Sequence, residues 1–239
     1  MTDLHLFVMV PGARPTQSQT LRTGLIVPLY IYPAPGKWEP LIAAKQANPQ
    51  VPILAIVNPG SGPGSRTDPL YVAGMAALRE AGIMAFAYVY SSYRRRSYDE
   101  VANDIDAYTA LYGRNFDGIF VDEMAKDDAA HYESVASHAR SGGFGRVIGN
   151  PGTDVPKEYV GKAADVFVIY ENAGSPSPTF LGGWHAAYPK QTWAFIAHHT
   201  ASLDPSLVAK AKMDVGLLYL TDADYHSFPP YLGRLCALL

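Results

Sequence analysis

The chain contains one cysteine, Cys236, among 239 residues. No internal disulfide can form and no cysteine pair can grip a zinc ion, so packing alone has to stabilise the fold. Positive charge is not in excess either: 19 Lys+Arg stand against 22 Asp+Glu, a formal net charge of −3. Such a balance offers no electrostatic footprint for a nucleic-acid duplex or an anionic membrane surface, so neither is expected as a partner. No apolar stretch approaches the ~18 residues that a membrane span needs, and none is expected. The first ten residues, Met1-Thr-Asp-Leu-His-Leu-Phe-Val-Met-Val10, place an acid where a signal peptide has a base, and their apolar run is too short. No export signal is expected there, which leaves a cytoplasmic location open. Residues 1–22, including Pro15-Thr-Gln-Ser-Gln-Thr20, are expected to form a polar, poorly ordered tail.

Beyond the tail no linker, repeat or low-complexity segment interrupts the chain, so residues 23–239 are expected to form one domain. Eight short runs recur there: Leu25 to Tyr32, Val51 to Val57, Ile83 to Tyr90, Gly118 to Asp122, Val147 to Asn150, Val166 to Glu171, Trp193 to His198 and Leu217 to Thr221. They are nearly continuous in apolar residues, as parallel strands buried on both faces require. The intervening segments carry helix signals. Asp68-Pro69 supplies a cap and a first-turn proline, with Gly82 as a stop. Ser97-Tyr-Asp-Glu100 is a capping box, followed by a stripe of Val101, Ile105, Tyr108 and Tyr112 and a stop at Gly113. Asp204-Pro205 opens another helix, whereas the helices after the fifth, sixth and eighth strands are short or broken. Eight strands alternating with helices predict an α/β fold, a single (β/α)8 TIM barrel with short helices on some βα units.

In such a barrel the chemistry lies at the carboxyl ends of the strands. Polar residues gather where each apolar run stops: Tyr30 and Tyr32, Asn58, Tyr88 and Tyr90, Asp122-Glu123, Asn150, Glu171, His198-His199, and Thr221-Asp222. Asp122 and Glu123 directly follow Gly-Ile-Phe-Val, and Glu171 ends the apolar Val166-Phe-Val-Ile-Tyr. A carboxylate so placed is costly to bury unless it faces a pocket with partners; a helix cap or a salt bridge to a loop arginine is the bland alternative for each. Paired carboxylates across a cleft are what glycosidic cleavage needs, one to protonate the leaving oxygen and one to attack or to activate water. The fourth and sixth strands lie roughly 10 Å apart. Inward side chains would close that gap to somewhere between the retaining (~5 Å) and inverting (~6.5–9.5 Å) separations.

These residues resemble the spherulation-specific family, the group that includes glycoside hydrolase family 135 and fungal endo-α-1,4-N-acetylgalactosaminidases. The resemblance runs from Gly24-Leu-Ile-Val-Pro-Leu-Tyr-Ile-Tyr32 through Ile56-Val-Asn-Pro-Gly-Ser-Gly-Pro-Gly64 and Asp117-Gly-Ile-Phe-Val-Asp-Glu123 to Val168-Ile-Tyr-Glu171. It implies a (β/α)8 glycosidase cutting galactosamine-containing exopolysaccharide outside the cell, with Asp122, Glu123 and Glu171 as functional groups. By that analogy Asp122 is nucleophile or stabiliser, Glu171 general acid/base and Glu123 supporting. In a substrate-assisted alternative Glu123 is the acid and Asp122 orients an N-acetyl group. A non-catalytic carbohydrate-binding or spore-coat protein would use the same cleft, and a glycosidase for another amino sugar or a galactan is a further alternative.

Substrate contacts are expected from Tyr30, Asn58, Tyr88, Tyr90, Asn150, Trp184, His198 and Asp222. Gly60-Ser-Gly-Pro-Gly64 lacks the Lys-Ser/Thr ending of a phosphate loop and reads as a tight turn beside the cleft. His198-His199 with Asp222-Ala-Asp-Tyr-His226 lacks metal-site spacing, so no metal and no cofactor is expected. His131 and His138, on a polar helix, and Arg94-Arg-Arg96 are expected to be solvated. The aromatic content is high, with 16 Tyr, 9 Phe and 3 Trp. Tyr30, Tyr32, Tyr88, Tyr90, Tyr170 and Tyr219 are expected to ring the mouth, where tyrosine suits pyranose faces and hydroxyls. A monomer acting on a polysaccharide is the expected state.

Overall fold

A computed structural model describes residues 22–174, 181 and 183–239. The expected tail thus lies outside the described residues except for Arg22. Eight parallel strands form a closed barrel in sequence order, β1 (Gly24–Leu29), β2 (Ile53–Val57), β3 (Met84–Tyr90), β4 (Gly118–Asp122), β5 (Arg146–Gly149), β6 (Val166–Ala173), β7 (Trp193–His198) and β8 (Leu217–Leu220). The ring closes where Gly24 and Leu25 of β1 pair with Leu217 and Leu218 of β8. Helices α1 (Glu39–Ala47), α2 (Pro69–Glu80), α3 (Tyr98–Tyr112), α4 (Ala129–Ser141), α5 (Pro205–Asp214) and α6 (Leu232–Ala237) surround it. Among the described residues, 3-10 turns, Lys157–Tyr159 after β5 and Gly183–Ala187 and Lys190–Thr192 after β6, stand where the helix signals fail.

The local signals act as their chemistry requires. Asp68 accepts a hydrogen bond from the Leu70 amide at the start of α2, and Asp204 from the Ser206 amide at the start of α5. The Ser97 and Glu100 capping box closes reciprocally at the start of α3. α4 departs from expectation. His131 is buried, edge-on to Tyr132 at 4.9 Å, because it falls on the stripe with Tyr132, Val135 and Ala139 that packs on the barrel. His138 is paired with Asp106 of α3 at 2.8 Å. The lone Cys236 lies fully buried, its Sγ 3.6 Å from the Ala44 carbonyl, where α6 meets α1.

Ladder partners lie on one face of a sheet, so the register defines the lumen. Ile56 pairs with Phe86, Phe86 with Gly118, and Phe120 with Ile148. Two residues further along each strand, this face carries Tyr88 on β3, Asp122 on β4 and Asn150 just past β5. On β6 alternation alone would turn Glu171 outward. A bulge between Val168 and Tyr170 inserts one residue, so that Val168 pairs with Ala194 and Glu171 with Ile196 on the same face. That one extra residue brings Glu171 into the mouth.

Gly118 is set by close approach: a methyl group there would overlap the Phe86 ring and the Arg146 carbonyl. Gly118→Ala is expected to destabilise the chain by about 3 kcal/mol through overpacking. Urea denaturation checks this, and a loss below about 0.5 kcal/mol would mean that the lumen is loosely packed.

Candidate active site

The centre of the mouth is a chain of hydrogen bonds spanning four strands. The Tyr88 hydroxyl donates to Asp122 Oδ2 at 2.8 Å, and Asp122 Oδ1 accepts from Asn150 Nδ2 at 2.7 Å and from the Glu123 amide at 2.9 Å. The same Asn150 Nδ2 donates to Glu171 Oε2, and the Tyr225 hydroxyl donates to Glu171 Oε1 at 2.6 Å. Asn150 cannot be turned round, because its Oδ1 accepts from the Gly152 amide at 3.0 Å. Both of its N–H bonds therefore face carboxylates. Two acceptors on one nitrogen lie roughly 5 Å apart, which narrows the interval left open by strand spacing to its short end.

Tyr30, at the end of β1, completes the cluster, its ring edge-on to Tyr88 at 5.6 Å and to Tyr225 at 5.7 Å. Burial foremost, and then the carboxylates and neighbouring tyrosines, hold the hydroxyls of Tyr30, Tyr88 and Tyr225 well above the usual phenol range, so all three remain protonated donors. Burial, then the charge of Glu171, pushes the Asp122 carboxyl up to about 6, against the pull of its three hydrogen bonds. No lysine or arginine among the described residues is hydrogen-bonded to either acid.

Glu123 sits at φ 52°, a left-handed conformation unfavourable for a residue with a side chain. Its carbonyl accepts from the Tyr93 amide and from Ser91 Oγ, both at 2.7 Å, tying the loop after β4 to the loop after β3. This backbone turn interrupts strand alternation directly beyond Asp122.

The other expected contacts have varied surroundings. Tyr90 stacks on Tyr88 at 6.4 Å, with the Arg96 guanidinium 4.4 Å above its ring. Asn58 Oδ1 is occupied by the Gly62 amide at 2.9 Å, so Asn58 shapes its own glycine-rich loop. His198 Nδ1 and His199 Nδ1 lie 2.6 Å apart, and the His198 ring is edge-on to Tyr225 at 6.3 Å. Asp222 is half-buried just past β8, raising the Tyr231 hydroxyl after burial does. Trp184 is half-buried, one face stacked on His185 at 4.0 Å and its edge toward Trp193.

Several expectations need correction. Tyr219 is buried beneath the mouth rather than at its rim. Tyr32 turns away to Asp68, at 2.9 Å, and to the Tyr71 ring. Tyr170 donates to the Gly174 carbonyl at 3.0 Å, because the bulge gives Glu171 the inward place. Arg94 and Arg96 are not simply solvated: they pair with Asp128 at 2.7 Å and Asp104 at 2.8 Å. Tyr225 went unnoticed in the sequence, since it lies beyond the end of β8 in a segment without periodicity. Beside the acids, a groove of about 840 Å³ runs past Tyr93, Met124, Pro151 and Trp184. No group of three or more metal-ligating side chains occurs among the described residues, and no helix among them is long and apolar enough to cross a membrane.

Barrel and mouth together define a (β/α)8 protein with a half-buried carboxylate pair at its C-terminal face. Residues 24–239 match the model of the Spherulation-specific family 4, and the chain belongs to that family. Spherulin-4 of Physarum polycephalum is 33% identical over 239 residues, covering 92% of this chain and 70% of that protein. The crystal structure of Aspergillus clavatus Sph3 in complex with GalNAc is similar with a TM-score of 0.78 and 26% identity, over 91% of this chain and 97% of that one. The catalytic domain of a mannanase from Streptomyces sp. SirexAA-E shares the fold alone, with a TM-score of 0.52 at 13% identity, over 92% and 86% of the two chains.

Raising the pKa of an acid means that the folded chain still holds a proton the unfolded chain has lost. Between about pH 4 and 6 stability should therefore fall as pH rises. Asp122→Asn is expected to flatten that slope and to leave the chain about 3 kcal/mol more stable at pH 7. Urea denaturation at a series of pH values measures it; an unchanged slope would assign the titration to another group.

Proposed function

We propose that the protein is a glycoside hydrolase that cuts within polysaccharide chains built on α-1,4-linked N-acetylgalactosamine or galactosamine, of the galactosaminogalactan type found in biofilms, using carboxylates and no metal. The observation that carries this reading is the sharing of one Asn150 amide group by Asp122 and Glu171. Two carboxylates at that separation suit a double displacement with retained configuration. The likeness to Sph3, whose structure holds GalNAc, supports an N-acetylhexosamine at this mouth. An exopolysaccharide substrate would place the protein's work outside the cell.

Asp122 is the nucleophile in this reading: three donors orient its oxygens, leaving little freedom to swing. Its carboxylate attacks the anomeric carbon while Glu171 gives a proton to the leaving glycosidic oxygen. Glu171 then takes a proton from water, which releases the sugar from Asp122. With no cation paired to either acid, the field at the mouth stays negative and favours the oxocarbenium-like transition state. Glu123, next to Asp122 in the chain, is the supporting acid of this reading. Activity in this reading requires Asp122 ionised, so the rate should fall below about pH 6.

The test is reducing-end release and product mass spectrometry on a panel of purified galactosaminogalactan, poly-N-acetylgalactosamine, galactan and other hexosamine polymers. Asp122→Asn and Glu171→Gln, shown folded, should each lose activity by at least about a thousandfold. Asn150→Ala should lose about a hundredfold in kcat and move the acid limb of the pH profile upward, because it removes a hydrogen bond favouring ionised Asp122. Binding without cleavage by the unaltered protein would establish the carbohydrate-binding alternative. Cleavage of N-acetylated polymer alone, abolished by Glu123→Gln but not by Glu171→Gln, would establish the substrate-assisted one.

A further inference from the structure

The loop after β3 holds Ser92, Tyr93 and Arg94 at φ 51°, 52° and 71°. Three consecutive left-handed residues, none of them glycine, carry strain on the order of 1 kcal/mol each. The loop is fastened around Tyr93. The Tyr93 amide donates to the Glu123 carbonyl at 2.7 Å, the Arg95 amide to Ser92 at 3.0 Å and the Arg96 amide to Ser91 at 3.1 Å. Arg94 is clamped to Asp128 at 2.7 Å, and Arg96 donates to the Tyr90 carbonyl at 2.9 Å. All of this holds the backbone, and none of it uses the Tyr93 ring, which stands 56% exposed. The surroundings over-determine a costly turn whose one product is an outward-facing phenol beside the acids.

That ring lines the groove of about 840 Å³ together with Met124, Pro151, Asp154, Pro156 and Trp184. The groove is built on the same two loops as the mouth, since Met124 follows Glu123 and Pro151 follows Asn150 in the chain. Burial first, and then the charges of Glu123, Asp122 and Glu171, raise the Tyr93 hydroxyl above the ordinary phenol range. A groove with aromatic and proline faces and the polar groups of Lys126, Asp127 and Asp154 suits pyranose rings, which present C–H faces and hydroxyls. Its volume lies in the range of pockets that enclose ligands larger than a single sugar.

We propose that Tyr93 is a stacking platform for the sugar units next to the one cleaved, and that the polysaccharide runs from the acid pair along the groove toward Trp184. This rests on the glycoside hydrolase reading above, which names the polymer but none of its neighbouring subsites. Conformational strain and polymer affinity are then opposed at one residue. Glycine at that position relieves the backbone and removes the ring, so stability and binding should move in opposite directions.

The test compares Tyr93→Gly, Tyr93→Phe and Tyr93→Trp in a Glu171→Gln background that prevents turnover. Isothermal titration would use an α-1,4-linked N-acetylgalactosamine hexasaccharide and the monosaccharide. Tyr93→Gly should unfold at a higher urea concentration than its parent yet bind the hexasaccharide about tenfold more weakly. Its loss on the monosaccharide should be much smaller, and Tyr93→Phe and Tyr93→Trp should keep hexasaccharide binding within about threefold. Unchanged hexasaccharide affinity in Tyr93→Gly, or a fall in its stability, overturns the platform while leaving the hydrolase reading intact. Hexasaccharide binding that depends on Tyr93, without reducing ends from the unaltered protein, overturns the hydrolase reading and keeps the platform. No binding to any polymer of the panel overturns both.

Discussion

One amide group organises this protein's mouth. The Asn150 side chain gives its two N–H bonds to two different carboxylates and has its oxygen held by the Gly152 amide. It is only 4% exposed, so every polar atom it carries must be satisfied within the protein, and the arrangement does so without a spare bond. Two half-buried acids this close would ordinarily demand a cation or separate. Here neutral donors, Asn150 with Tyr88 and Tyr225, hold both in place without a paired cation. Directional hydrogen bonds thereby fix the geometry of the pair without a counter-charge.

Tyrosine does two kinds of work in this framework. At the mouth it supplies donors whose burial keeps them protonated. Beneath the mouth it braces the backbone of the strand ends: Tyr108 donates to the Tyr88 carbonyl at 2.8 Å, Tyr159 to the Ala125 carbonyl at 3.0 Å and Tyr231 to the Thr200 carbonyl at 2.7 Å. Tyr132 bonds both Ser91 and the Ala125 amide at 2.7 Å. Each is a rigid ring spanning from an outer layer to a loop carbonyl or amide that would otherwise be buried unpaired. Much of the aromatic excess is therefore a support for loops.

Backbone strain follows the same geography. Ser61, Ser92, Tyr93, Arg94, Glu123 and His199 are the non-glycine residues with positive φ among the described residues, and all lie in loops at the carboxyl ends of strands. The opposite face of the barrel carries none of them. Left-handed turns survive only where neighbouring bonds outweigh them, and here those bonds are the cross-ties between adjacent loops. The barrel supplies a rigid ring of strand ends, and the ties convert its loops into fixed mounts for side chains.

The barrel was legible from the chain because its signals are local. Continuous apolar runs, the Asp68-Pro69 and Asp204-Pro205 caps and the Ser97 capping box each act within a few residues of where they are written. The presence of Asp122, Glu123 and Glu171 at strand ends was legible for the same reason. What alternation along a strand could not supply was the inward direction of Glu171, which depends on a bulge defined only by pairing with β7. Nor could it show that His131 faces the core, since the helix around it is polar enough to read as solvated. Tyr225 reaches Glu171 across a sequence separation of 54 residues, and Tyr93 stands at the groove because a loop from another strand holds its backbone. The sequence by itself determined the eight-stranded barrel and which strands end in acids. Only the tertiary structure decided which of those acids face each other, through which amide, and beside which rings. Burial patterns are written along the chain, whereas hydrogen-bond partners are chosen across it.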